Sequence, residues 1–85
     1  MYQIKISSRA KKDIEKLKQS SLFETATDLV IKIKANPFVT PPPYEKLEGY
    51  ADTYSRRINK QHRLIYSVDK QNSIIYVRAA WSHYE

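Results

Sequence analysis

The sequence predicts an α+β domain in the order βααβββ: an antiparallel sheet with a helical hairpin packed on one face. Three observations point there. Two stretches near the start repeat apolar residues at helical spacing. Three stretches in the second half alternate apolar and polar residues, as half-buried strands do. A proline-rich segment over residues 37–43 separates the two halves. At 85 residues the chain has room for one modest core, so residues 1–85 are read as a single domain.

Residues 2–6 alternate, with Ile4 and Ile6 on one face, and predict a short first strand. Ser7 and Ser8 are N-cap candidates. Ala10, Ile14 and Leu17 mark the apolar side of a first helix over residues 9–18, whose other side is lysine-rich. Ser21 and Glu24 make a capping-box pattern. Leu22, Ala26, Leu29, Val30 and Ile33 form the apolar stripe of a second helix. Asn36-Pro37 ends it, because proline pushes the residue before it out of helical geometry. The short break between the helices implies an antiparallel pair.

Residues 37–43 hold all four prolines and predict an extended, exposed connection. Residues 44–52 read as a turn of helix or a loop edge, with the single glycine at Gly49. Strands are expected at residues 53–59, 63–68 and 73–81, with a polar turn between the last two.

Composition narrows the function. There is no cysteine, hence no disulfide framework and no thiolate metal site, which fits a reducing cytosol. The first residues lack a basic region followed by an apolar run, and no apolar stretch approaches membrane-spanning length. A cytoplasmic protein with no membrane partner is therefore expected. The net charge of +6 favours a polyanionic partner. Seven tyrosines among the aromatics suit stacking on RNA bases, or simply core packing.

The stretch "SRRINKQHRLIYSV", residues 55–68, puts three arginines into two strands and their turn. Alternation gives Tyr54, Arg56 and Ile58 one face and Ser55, Arg57 and Asn59 the other. Ile58, Leu64 and Val68 should point at the helices. A two-residue Lys60-Gln61 turn would split Arg57 and Arg63 between the faces. Lys-Gln suits such a turn poorly, so a longer loop over residues 60–62 is expected, with Asn59 opposite Arg63. Ser55, Arg57, Asn59, Arg63 and Ser67 would then form a positive floor matched to phosphate. The other reading of these arginines is pairing with acids on a solvated face.

"AAWSHYE" at the end supplies His83, a side chain suited to move protons near neutral pH. "YEKLEG" supplies Glu45 at the mouth of the sheet. Glu45, Arg57, Arg63 and His83 together make a carboxylate base, an arginine clamp and an imidazole acid, a set able to cleave RNA at its 2′-hydroxyl. No HxH, HExxH or tight carboxylate cluster appears, so neither a metal nor another cofactor is expected.

Taken in order, "YEKL", "YSRRIN", "HRLIYSV" and "AWSHYE" resemble the YoeB/Txe toxins of the RelE/ParE toxin–antitoxin superfamily. The resemblance spans the chain and is most specific over residues 44–85. It implies a RelE-like fold and a type II toxin acting as a ribosome-dependent, metal-independent mRNA endoribonuclease (an mRNA interferase) that cuts in the ribosomal A site. It implies Glu45 as general base, His83 as general acid, Arg57 and Arg63 on the phosphate, and Tyr84 shaping the site. Lys46 and Arg56 are added as candidate RNA contacts, and the lysines of the first helix (Lys11, Lys12, Lys16, Lys18) as candidate ribosome contacts. The implied partners are a YefM/Axe-type antitoxin and the 70S ribosome with mRNA; a homodimer is a further candidate. The sequence departs from some relatives at Glu48, where they carry lysine, and at Glu85, which extends past the usual "HY" ending. A ParE-like gyrase inhibitor and a non-catalytic basic binding module are the alternatives, and neither needs an acid–base pair. A straight last strand would put His83 on the face of Val77, Ala79 and Trp81, so a bend near Ser82 is expected.

Overall fold

Ser7 takes the N-cap role that its place before the lysine-rich stretch suggests. Its hydroxyl accepts the Ala10 N–H at 3.1 Å, and helix α1 follows over Ser8–Lys18. The alternating residues ahead of it form strand β1, Gln3–Ile6. Helix α2 covers Phe23–Ala35. Its entry is closed by Ser20, whose Oγ accepts the Leu22 N–H at 3.1 Å, and not by the expected box at Ser21. Strands β2 (Glu45–Lys46), β3 (Thr53–Arg57), β4 (Arg63–Asp69) and β5 (Ile74–Ser82) follow. The computed structural model describes residues 1–82.

The five strands form one sheet in the order β1-β5-β4-β3-β2. Neighbours from β2 to β5 are antiparallel, but β1 lies parallel to β5, with Gln3 beside Ile74 and Ile6 beside Val77. The sheet is therefore mixed rather than wholly antiparallel. Alternation fixes which face a strand buries and leaves its partner open. Here Ser7 closes the pairing, its N–H reaching Val77 O at 3.0 Å and its hydroxyl reaching Arg78 O at 3.1 Å. β2 takes only Glu45–Lys46 of the stretch expected as a helical turn or loop edge, residues 48–52 being turns, and its exit is held by Leu47 N–H on Thr53 O at 2.8 Å.

Both helices cover one face. Ala10, Leu17, Ala26, Leu29 and Ile33 meet Ile58, Leu64, Tyr66, Val68, Ile75 and Val77 in a single core. The three strand residues expected to face the helices all do so. Each buried Leu or Ile contributes about 1.5–3 kcal/mol by leaving water.

The β3–β4 loop is longer than expected. Asn59 Oδ1 accepts the N–H groups of Gln61 and His62 at 2.9 and 2.7 Å, and Ile58 N–H reaches His62 O at 2.8 Å. This Asx turn makes Arg57, not Asn59, the partner of Arg63. The shift is an even number of residues, so the faces are unchanged.

The end of β5 is irregular. Val77 opposes Tyr66, Ala79 opposes Ile65 and Ser82 opposes Arg63, with irregularities between. Arg78 is the extra residue of one bulge, and a second shift between Ala79 and Ser82 adds another, so the alternation reverses at Ala79 and is restored at Ser82. Val77 faces the core, while Ala79 sits beside Ile65 outside it. Asp13, buried on α1, accepts the Ala80 N–H at 3.0 Å and so holds the bulged end. Trp81 then stacks on His62, with ring centres 3.8 Å apart and planes 21° from parallel.

Candidate active site on the open sheet face

The face away from the helices carries the polar half of β3 and β4. Glu45 is in register with Ser55, Ser55 with Ile65, and Arg57 with Arg63. Arg63 Nη1 lies 3.8 Å from Glu45 Oε1 and donates to Ser55 Oγ at 3.4 Å. The Arg63 side chain is 19% exposed and the Glu45 side chain 69%. The carboxylate stands in solvent, where it can exchange a proton. The guanidinium lies partly sunk into the sheet, where water screens its charge less. A group with a mobile proton and an anionic centre would meet both at once.

Arg57 is exposed at the end of β3 and also borders a shallow hollow with Asp28, Lys32 and Pro41. Ser82, the last described residue, opposes Arg63. The expected acid His83, and Tyr84, lie outside the described residues.

Three expected floor or RNA contacts stand elsewhere. Arg56 faces the core at 1% exposure and gives its donors to Pro37 O at 3.0 Å, Pro42 O at 2.6 Å and Tyr66 Oη at 2.9 Å. It holds the proline segment and is unavailable to RNA. The segment is therefore anchored at its start, where Pro37 is fully buried, while Thr40, Pro41 and Pro43 are exposed as expected. Lys46 is in register with Tyr54, so alternation turns it away from the Glu45 side. Asn59 is used by the hairpin turn. Lys11, Lys12, Lys16 and Lys18 are exposed on α1, with Lys18 bonded to Glu15 at 3.3 Å.

A cleft of about 720 Å³ continues the open face one rung beyond Arg63, floored by Ile65, Ala79, Ser67 and Thr53. Arg78 lies in it, donating Nε to Ser67 Oγ at 3.1 Å with its guanidinium 5.5 Å from the Tyr76 ring centre. The sequence reading named neither Arg78 nor the cleft. The signal was present in the alternation of Tyr76 and Arg78 with Ile75 and Val77.

Tyr66 and Asp69 titrate away from their ordinary values. Burial pushes the Tyr66 phenol up, against a smaller downward pull from its bond to Arg56. Asn72, donating to both carboxylate oxygens, holds Asp69 below the usual range. Among the described residues no three His, Asp or Glu side chains could together hold a metal. Among the described residues no helix is long and apolar enough to cross a membrane.

Comparison with known proteins bears on the fold and the family. The family model for the YoeB-like toxin of bacterial type II toxin–antitoxin systems matches residues 7–84. No curated protein sequence matches. The YoeB/ParE toxin from Agrobacterium tumefaciens is 27% identical at a TM-score of 0.87, covering 96% of this chain and 99% of its own. YoeB from Staphylococcus aureus, solved in a YoeB–YefM complex, is 30% identical at a TM-score of 0.80, covering 99% of each chain. The intact RelBE complex of E. coli, at 22% identity and a TM-score of 0.81 over the whole of both chains, shares the fold. A two-helix, mixed-sheet α+β chain with these relatives belongs to the YoeB-like toxins of bacterial type II toxin–antitoxin systems, within the RelE superfamily.

Proposed function

We propose that this toxin is an endoribonuclease that cuts mRNA in the ribosomal A site without a metal. The observation that carries the reading is the Glu45–Arg63 pair, 3.8 Å apart on an open sheet face with Ser55 beneath it. Glu45 takes the proton of a 2′-hydroxyl, and the freed oxygen attacks the adjacent phosphorus. Arg63, with Arg57 beside it, stabilises the charge that develops on the phosphorane oxygens. His83 follows directly after Ser82, the residue opposite Arg63, and gives its proton to the departing 5′-oxygen. The products are a 2′,3′-cyclic phosphate and a 5′-hydroxyl. Tyr84, the C-terminal tyrosine of the family pattern, is assigned the role of shaping the site.

The partner is an antitoxin of the YefM type, because the S. aureus relative was solved with YefM. The S. aureus YoeB was also solved as a dimer, which makes a homodimer the second assembly to expect. The exposed lysines of α1 suit contact with ribosomal RNA. The chain acts in the cytoplasm, where ribosomes are.

Primer extension on a defined mRNA, with and without 70S ribosomes, tests the reading. Wild type should cut within the A-site codon only when ribosomes are present. Glu45→Gln and His83→Ala should each lower the cleavage rate by at least 100-fold while binding is retained. Absence of cleavage by wild type under both conditions overturns the reading and leaves gyrase supercoiling as the next assay.

A further inference from the structure

The cleft beside the Glu45–Arg63 pair repeats the arrangement of that pair one step along the sheet. At the first step Arg63 donates to Ser55 Oγ. At the next, Arg78 donates to Ser67 Oγ, which is itself bonded to Thr53 Oγ1 at 2.9 Å. Thr53 opposes Ser67 and lies two residues from Ser55 on β3. With a strand rise near 3.3 Å and a strand spacing near 4.8 Å, the two serine anchors are about 8 Å apart. That matches one step between successive phosphates of an extended strand.

We propose that Arg78 and the cleft around it form a second RNA subsite, which holds the phosphate next to the scissile one. The position of the scissile phosphate rests on the nuclease reading above. Arg78 is pre-aimed: Ser67 holds its Nε, Tyr76 lies against its guanidinium, and at the bulge it has no residue directly opposite it on β4. Among the described residues its two Nη groups take no hydrogen bond, so the fork that matches phosphate oxygens is available.

Charge also limits the subsite. Asp52 and Asp69 line the far end of the cleft, and Asp69 is held ionised by Asn72. A phosphate backbone is repelled there, so the anion track ends at Arg78. Leu47 and the exposed ring of Tyr50 wall the remaining space, which suits a base rather than another phosphate. The protein therefore grips two consecutive phosphates of single-stranded RNA, at Arg63 and at Arg78.

The test is a binding cycle read by fluorescence anisotropy. The probe is a short labelled oligoribonucleotide with a 2′-deoxy sugar at the cut site, so that it cannot be cleaved. Companion probes carry one methylphosphonate each, which removes the charge of one phosphate. Arg78→Ala should weaken binding about 5- to 20-fold and reduce the salt slope by about one phosphate contact. Arg78→Gln should lose as much, with its circular dichroism spectrum unchanged. One methylphosphonate, adjacent to the cut, should weaken wild type by a similar factor and leave Arg78→Ala unaffected.

Independent, multiplying losses overturn the subsite, as does a change under twofold in Arg78→Ala. Unchanged RNA binding with weakened binding of a hexaglutamate peptide also overturns it, in favour of a protein contact. Cleavage assays on the same proteins separate the two readings. Coupling without cleavage by wild type keeps the subsite and removes the nuclease; cleavage without coupling does the reverse.

Discussion

Arg56 and Arg57 are neighbours in sequence and point to opposite sides of β3. Arg56 is sealed beneath the sheet against Pro37, Pro42 and Tyr66, while Arg57 is exposed opposite Arg63. The Arg56 guanidinium also sits 5.0 Å from the ring centre of Tyr44, the residue before Glu45.

Their substitutions should separate cleanly. Arg56→Met removes the donors to Pro42 O and Tyr66 Oη and leaves Pro37 O with the Tyr66 hydroxyl alone, and should cost about 1–3 kcal/mol in urea unfolding. Arg57→Ala should stay within about 0.5 kcal/mol of wild type, yet lower RNA cleavage. Equal destabilisation by the two would show that the buried network contributes nothing special.

The Tyr66 hydroxyl donates to Pro37 O at 2.8 Å and accepts from Arg56. Its folded pKa is raised above the ordinary value of about 10 mainly by burial. Above that ordinary value the unfolded chain gives up the proton before the folded one does. The stability linked to this group is thus complete below about pH 10 and is lost as pH rises towards the folded value. Alkaline unfolding of Tyr66→Phe should show a shallower pH slope above that point than wild type, whatever its absolute stability. Parallel slopes would dismiss Tyr66 as the source.

Asp13 links α1 to a backbone group 67 residues away, at the bulged end of β5. Asp13→Ala should orphan the buried Ala80 N–H at a cost of about 1–3 kcal/mol. Asp13→Asn retains an acceptor and should recover most of it. The exposed Arg9 beside Asp13, at 3.9 Å, adds little. Urea midpoints ranked wild type, Asn, Ala would support this order, and an Asn variant as weak as Ala would refute it.

The sequence carried the faces of the fold better than its connections. Alternation placed Ile58, Leu64 and Val68 in the core, because period-two patterning depends only on local backbone geometry, whereas the shared face of Arg57 and Arg63 needed the further step that Lys60-Gln61 suits a two-residue turn poorly. It could not show that β1 lies parallel to β5, since partner choice is set by long-range packing. The hairpin register slipped by two because Asn59 closes the turn through its side chain. Alternation had already put Arg56 with Tyr54 and Ile58, yet a charged residue amid three buried carbonyl and hydroxyl acceptors is visible only in three dimensions. Asp13 was hidden for the same reason: its partner is a backbone N–H at the far end of the chain.

Trp81 is the single tryptophan, so its emission reports one place. It lies nearly parallel to His62, a buried side chain in the β3–β4 loop. The stack joins the hairpin to the last described turn of β5, next to Ser82 and Arg63. Ring pairs of this kind add about 0.5–1.5 kcal/mol beyond the area they bury. His62→Ala would open one face of the indole to water. Its emission maximum should therefore move to longer wavelength, while His62→Phe, which keeps a ring against the indole, should stay near wild type. The same two variants should split in cleavage: Ala slowed, Phe close to wild type, because the stack fixes the strand end from which His83 follows. Identical emission maxima in all three proteins would mean that the stack does not shield Trp81 in solution.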